Sequence, residues 1–214
     1  SCSDYGSYIY TFDQLKKVFK KEYSLAELKN RVSFLAKTGW LSRVKKGLYV
    51  VITDLGSLGT HDVSIYTLAQ ALNQDSYISF ENALQHHGMF DQMLKTASAI
   101  TFQRARTYQV KETEIKFYHI KKKFYFGYKS ERSDIGLVNM AEKEKALLDI
   151  SYFRSDSYSA GLVWEKLKDH RKDFNFDLMK QYAQQLNFDV MRQIGFFLDG
   201  LGVSTEELEK HIQG

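Results

Sequence analysis

In this sequence the residues able to do acid–base, metal or nucleophilic chemistry are scattered, while those able to grip a polyanion are gathered at one end. His86 and His87 are adjacent, so on a helix their rings diverge by about 100° and cannot readily share one ion. No H-x-x-x-H or H-E-x-x-H pattern accompanies them, and they read as a helix-end pair with one ring packed and one exposed. Glu142, Glu144 and Asp149 bring carboxylates close in sequence. Glu142 and Glu144 face different sides of a helix, and Glu144 with Lys143 and Lys145 reads as a salt-bridged helix surface. The single cysteine, Cys2, makes neither an internal disulfide nor a zinc site. Gly56, Gly59 and Gly88 lie in no G-x-x-x-x-G-K loop, and no G-x-S-x-G elbow occurs. The expectation is a protein that is not an enzyme and holds no metal or cofactor.

The basic residues are organised differently. Between Tyr8 and Ile52, ten of them (Lys16, Lys17, Lys20, Lys21, Lys29, Arg31, Lys37, Arg43, Lys45 and Lys46) meet only three acids, Asp13, Glu22 and Glu27. The whole chain carries a net charge of only +4, so the remainder leans acidic. Lys29, Asn30 and Ser33 are the candidates for base contact, because amine, amide and hydroxyl groups suit the edges displayed in the DNA major groove. Ser24, Arg31 and Lys37 share their helix, and Arg43, Lys45 and Lys46 are candidates for flanking phosphates. A second stretch, Arg104–Arg132, interleaves nine basic residues with Tyr108, Tyr118, Tyr125 and Tyr128. That composition suits either a nucleic-acid groove or a sheet with a polar outer face and an aromatic core. Lys121, Lys122 and Lys123, expected in a turn between two strands, form an accessory DNA-binding patch.

Positioning these side chains requires a particular run of elements. Tyr8-Ile9-Tyr10 reads as a short strand. Thr11 with Gln14, then Ser24 with Glu27, have capping-box spacing. The two helices they open carry apolar stripes at Phe12, Leu15, Val18 and Phe19, and at Leu25, Leu28, Val32 and Leu35. Gly39 stops the second. Two apolar β-type runs around Lys45-Lys46-Gly47 then read as a hairpin with a basic tip. Helix, turn, helix and hairpin together predict a winged helix-turn-helix over 8–52, whose second helix enters the major groove. Residues 53–60 read as a linker. Over 61–214, helices are expected at 63–73, 79–88, 141–152, 158–171, 175–187 and 189–199, with a short one from Ser204. Strands are expected at 98–103, 115–120 and 123–128. The fold class is α+β: the winged head, then a helix-rich domain with a small antiparallel sheet.

Three blocks, in order, resemble the antitoxins of AbiE-type abortive-infection systems. The first is Leu35-Ala36-Lys37-Thr38-Gly39-Trp40-Leu41-Ser42-Arg43-Val44-Lys45-Lys46-Gly47-Leu48-Tyr49. The second is Tyr77-Ile78-Ser79-Phe80-Glu81-Asn82-Ala83-Leu84-Gln85-His86-His87-Gly88, and the third Val138-Asn139-Met140-Ala141-Glu142-Lys143-Glu144-Lys145-Ala146-Leu147-Leu148-Asp149. The chain departs from the pattern at Phe80, where relatives often carry a polar residue, and in having only residues 1–10 before Thr11, where many have a further helix. The resemblance implies a transcriptional repressor that binds inverted repeats in the promoter of its own operon, often cooperatively. It also implies a C-terminal domain that counters a toxin of the nucleotidyltransferase class. In such type IV systems neutralisation does not require a tight complex between the two.

Bulk properties set the outer bounds. With 43% apolar and 26% charged residues, the composition is that of a globular protein. No run approaches the roughly 20 apolar residues of a membrane span, and no secretion-signal layout opens the chain. A cytoplasmic location is therefore expected. The absence of proline favours long uninterrupted helices. Three other readings stay open: a ligand-sensing regulator with an apolar pocket in 60–214, an antitoxin that occludes its toxin directly through acidic C-terminal helices, and an enzyme that modifies the toxin.

Overall fold

A computed structural model describes residues 9–51, 64–110, 113–133 and 136–213, so the expected linker at 53–60 lies outside the described residues. Two capping boxes start the first helices. Strand β1 (Ile9–Thr11) leads into α1 (Phe12–Phe19), where the Thr11 hydroxyl accepts from the Gln14 amide and the Gln14 side chain accepts from the Thr11 amide. Ser24 and Glu27 do the same for α2 (Leu25–Lys37). Gly39 follows that helix at φ +87°, a backbone region open mainly to glycine. Strands β2 (Leu41–Lys45) and β3 (Leu48–Val51) form the hairpin around Gly47, and β1 pairs with the other side of β3.

This three-stranded antiparallel sheet is apolar on both faces. Leu41, Tyr49 and Val51 pack on Leu15, Leu28 and Val32 of the two helices. Ile9, Val44, Leu48 and Val50 face the other way and join the core of the following region. A strand alternates its side chains, so one face seals the head and the other seals it to the body. A bulge interrupts the hairpin, since Arg43 pairs with Tyr49 but Lys45 already pairs with Leu48.

The body is built on a six-stranded sheet. It comprises β4 (Ser76–Ile78), β5 (Thr96–Thr101), β6 (Arg106–Val110), β7 (Thr113–His119), β8 (Tyr128–Ser133) and β9 (Gly136–Ala141), ordered β6-β7-β5-β4-β9-β8. The pairs β4–β9 and β5–β7 are parallel, and the others antiparallel. The sheet is thus mixed and larger than the small antiparallel one expected. The physical reason is burial on both faces, which erases polar–apolar alternation in central strands such as β4. Residues 123–128, expected as a strand, instead hold a short 3-10 turn at Lys122–Phe124 before β8 begins. Helices α3 (Ile65–Leu72) and α4 (Phe80–His86) flank β4. The C-terminal layer is α5 (Lys143–Phe153), α6 (Ser157–Asp169), α7 (Phe176–Gln185), α8 (Phe188–Gly200) and α9 (Glu206–Gln213). The class is α+β, with α5 at the centre: it touches α4, α6, α7, α8 and β9, and every residue from Glu144 to Ile150 is buried.

The path of α5 depends on Gly127, which has φ +74°; a Cβ there would stand 2.9 Å from Cγ of Lys145. Gly127→Ala combines a strained backbone with a core overlap and is expected to cost about 1–3 kcal/mol in chemical denaturation. Replacing Gly88, whose Cβ would meet nothing within 4 Å, serves as the control for backbone strain alone.

The caps also make stability depend on pH. The Ser24 hydrogen bonds hold the Glu27 carboxyl below its ordinary 4.5, and Ser159 holds Asp156 below its ordinary 3.8. Both folded values are depressed, so their contribution is present above the ordinary values and is lost as pH falls through the folded ones. Circular dichroism between about pH 5 and about pH 2 should show a loss of helix in wild type that Glu27→Gln partly flattens.

Candidate nucleic-acid interface

Helix α2 buries Leu28 and Val32 against the sheet, which leaves the opposite side in solvent. On that side Lys29, Asn30, Ser33 and Lys37 are all exposed and fall in one row at helical spacing. The row can offer ammonium, amide and hydroxyl groups together. Ser24 is at the start of the helix, but its hydroxyl is engaged in the cap. Arg31 lies round the helix from the row, its guanidinium 4.7 Å over the Tyr23 ring. In the hairpin, Arg43 and Lys46 are exposed, and neither forms an ion pair among the described residues.

Lys45 parts company with Lys46. The bulge turns it toward the body, beside buried Val44, and its ammonium donates to the Leu72 carbonyl at 2.8 Å. That carbonyl closes α3, where helix ends carry unsatisfied acceptors and partial negative charge. Lys121, Lys122 and Lys123 are exposed on the 3-10 turn. Lys122 and Lys123 lie over the rings of Phe102 and Phe124. Of the tyrosines interleaved with this basic stretch, Tyr125 and Tyr128 pack against each other and on the buried Tyr77, with ring centres 5.0–5.2 Å apart. The strip is therefore cationic outside and aromatic inside.

Of the three groups expected on a salt-bridged helix surface, Glu144 and Lys145 prove to be internal and Lys143 stays partly exposed. Lys145 and Asp149 of α5 are fully buried and paired with each other. Asp149 also accepts from Ser79 at 2.7 Å and Tyr77 at 3.2 Å, and the Lys145 ammonium donates to the Tyr77 hydroxyl at 3.0 Å. Burial pushes the Asp149 carboxyl up and the Lys145 ammonium down, and each partner pulls the other back toward its charged form. Glu144 is buried as well and accepts from the Asn175 amide at the start of α7. Glu142 bridges Lys129 of β8 and Tyr182 of α7. The only sequence signal for this cluster was that the second and third blocks supply its members. The reading of Glu144 and Lys145 as surface failed because a charged residue on a helix looks the same in sequence whether its partner is in solvent or enclosed with it.

His86 and His87 separate as expected, His86 exposed against Glu131 and His87 half-buried against the Ala141 carbonyl. Among the described residues no three His, Cys, Asp or Glu side chains form a group that could hold a metal. Phe80 opens α4 at φ +57° with its ring fully buried between Tyr118 and Phe153. An apolar ring in that position closes the loop to solvent.

Removing one member of the buried pair leaves the other uncompensated. Lys145→Met is expected to cost about 3–5 kcal/mol, whereas Lys145→Met/Asp149→Leu recovers much of that loss. Denaturant titration of the two variants checks this; equal destabilisation would mean that the pair is not coupled.

No protein-family model matches the chain, and no curated protein matches it. Among solved structures, it is similar to the crystal structure of the RV2827C protein from Mycobacterium tuberculosis. The superposition has a TM-score of 0.60 and covers 96% of this chain and 76% of that one at 13% identity, a likeness of fold.

Proposed function

We propose that residues 9–51 are a winged helix-turn-helix that binds duplex DNA sequence-specifically, and that the protein is a transcriptional repressor. The observation that carries this reading is the single exposed row Lys29, Asn30, Ser33 and Lys37 on α2, beside a hairpin bearing Arg43 and Lys46. In this arrangement α2 lies in the major groove, the row reads base edges, and the hairpin holds the flanking backbone. Ser24 positions the helix, Arg31 braces it against Tyr23, and Lys121–Lys123 supply an accessory hold on the backbone.

The three sequence blocks extend the proposal to a type IV antitoxin in the cytoplasm. It represses its own operon at inverted repeats, with a nucleotidyltransferase toxin as functional partner. Two copies on adjacent half-sites would give cooperative occupancy. No described helix is long and apolar enough to cross a membrane, and the proposal needs no cofactor and no catalysis.

One observation favours a second reading, direct binding to the toxin. Phe196 is 76% exposed and Tyr158 65% exposed, beside concavities over α6 and α8 lined by Trp164, Glu165 and Asp199. Exposed aromatics rimmed by polar residues suit a protein–protein interface.

Fluorescence anisotropy with the operon's own promoter tests the first reading. Lys29→Ala/Asn30→Ala is expected to weaken binding by about 1–3 kcal/mol for each base edge no longer read, and to relax sequence preference. Arg43→Ala/Lys46→Ala is expected to weaken all sequences alike and to lower the salt slope by about one for each phosphate no longer neutralised. Binding that neither pair changes would sink the assignment of this face.

A further inference from the structure

Where the head meets the body there is a cleft that the DNA-reading face does not use. Its rim carries Lys45 from the hairpin with Gln103, Arg104 and Arg106 from the body, and its floor includes Tyr108 and Phe117. Arg106 and Tyr108 are two apart on β6, so they share one face of that strand. The Arg106 guanidinium lies 3.5 Å from the Tyr108 hydroxyl. Tyr108 is braced edge-on against the buried ring of Phe117. Among the described residues, neither Lys45, Arg104 nor Arg106 is in an ion pair. Asp75, close by, accepts instead from the Gln103 amide at 3.2 Å.

Three cations without acid partners around one hollow raise the local potential and draw in an anion. Two guanidiniums offer forked donors that match phosphoryl oxygens. The Lys45 ammonium has three N–H donors and spends one on Leu72. The hollow has a volume of about 250 Å³, below the ~300–1,000 Å³ of sites for whole drug-sized ligands. It suits a phosphoryl or pyrophosphoryl group rather than a complete organic cofactor.

We propose that this cleft is a phosphoanion site whose occupant bridges Lys45 of the head to Arg104 and Arg106 of the body. The phosphate belongs either to a small phosphorylated ligand or to a nucleic-acid backbone, and the recognition chemistry is the same for both. A bound anion stiffens the junction between the head and the sheet, because its ligands come from both sides. The site stands whether or not α2 reads DNA.

Isothermal titration with sodium pyrophosphate at low ionic strength tests it, using the full chain. Wild type is expected to bind, and Arg104→Gln/Arg106→Gln to bind roughly tenfold more weakly or worse, since each charged hydrogen bond contributes about that factor. Both arginines are exposed, so the variant keeps its fold, which circular dichroism checks. Lys168→Gln/Lys172→Gln, at exposed lysines far from the cleft in sequence, is expected to bind as wild type does. No pyrophosphate binding by wild type at millimolar concentration, or equal binding by the arginine variant, overturns the proposal. Adding pyrophosphate to a preformed DNA complex then separates the two sources. Release of DNA marks the backbone as the occupant, and retention of DNA with pyrophosphate still bound marks a free ligand.

Discussion

The body of this protein is organised around an ion pair that has no access to water. Lys145 and Asp149 sit one helical turn apart on α5, and their remaining hydrogen-bonding capacity is met by Tyr77 of β4 and Ser79 at the start of α4. Desolvating two charges is expensive unless geometry and further hydrogen bonds compensate. Here the compensation comes from three different elements, so the central helix, the central strand and the turn leaving it are fixed together. Gly127 belongs to the same arrangement, since its missing side chain is what lets the Lys145 stem pass. Replacing such a pair with apolar groups can hold a fold equally well; what this pair adds is directional hydrogen bonds from α5 to Tyr77 and Ser79.

Outward from that centre, the charges either tie neighbouring elements together or face solvent. Glu142 and Glu144 tie α5 to β8 and α7, while exposed cations lie on α2, on the hairpin and along the basic strip. The hairpin bulge sends two neighbouring lysines into two surroundings. Lys46 stays at the tip, and Lys45 is turned back to the end of α3. A one-residue insertion in a strand re-aims a side chain in this way without altering the apolar packing on either side.

What the sequence made legible was local. Thr11 with Gln14, Ser24 with Glu27, and Gly39 and Gly47 announced the first helices and the hairpin, because capping and turn chemistry depend on residues a few positions apart. The C-terminal helices fall close to their expected bounds, and the structure shows Asp156, Asn175 and Asn187 capping their starts. The sheet was not. Pairing of Ile78 with Met140, or of Ala99 with Phe117, joins distant segments, and no local pattern encodes a parallel partner. The hairpin of β8 and β9 was also missed, although Ser133 and Gly136 bracket its connection in sequence. For the candidate interface, the exposed row on α2 followed from helical spacing. The inward turn of Lys45 did not, because it depends on a bulge and on a carbonyl 27 residues away.

The small sheet with two apolar faces bears on how such a chain comes apart. Leu41 and Val51 belong to the head's interior while Val44 and Val50 belong to the body's, so neither half can melt without stripping the other. A small unit hung on a flexible tether opens and closes by itself. Here one face of the head's sheet contributes to the body's core, so the two are expected to unfold together and the head to lose apolar cover when separated from its body.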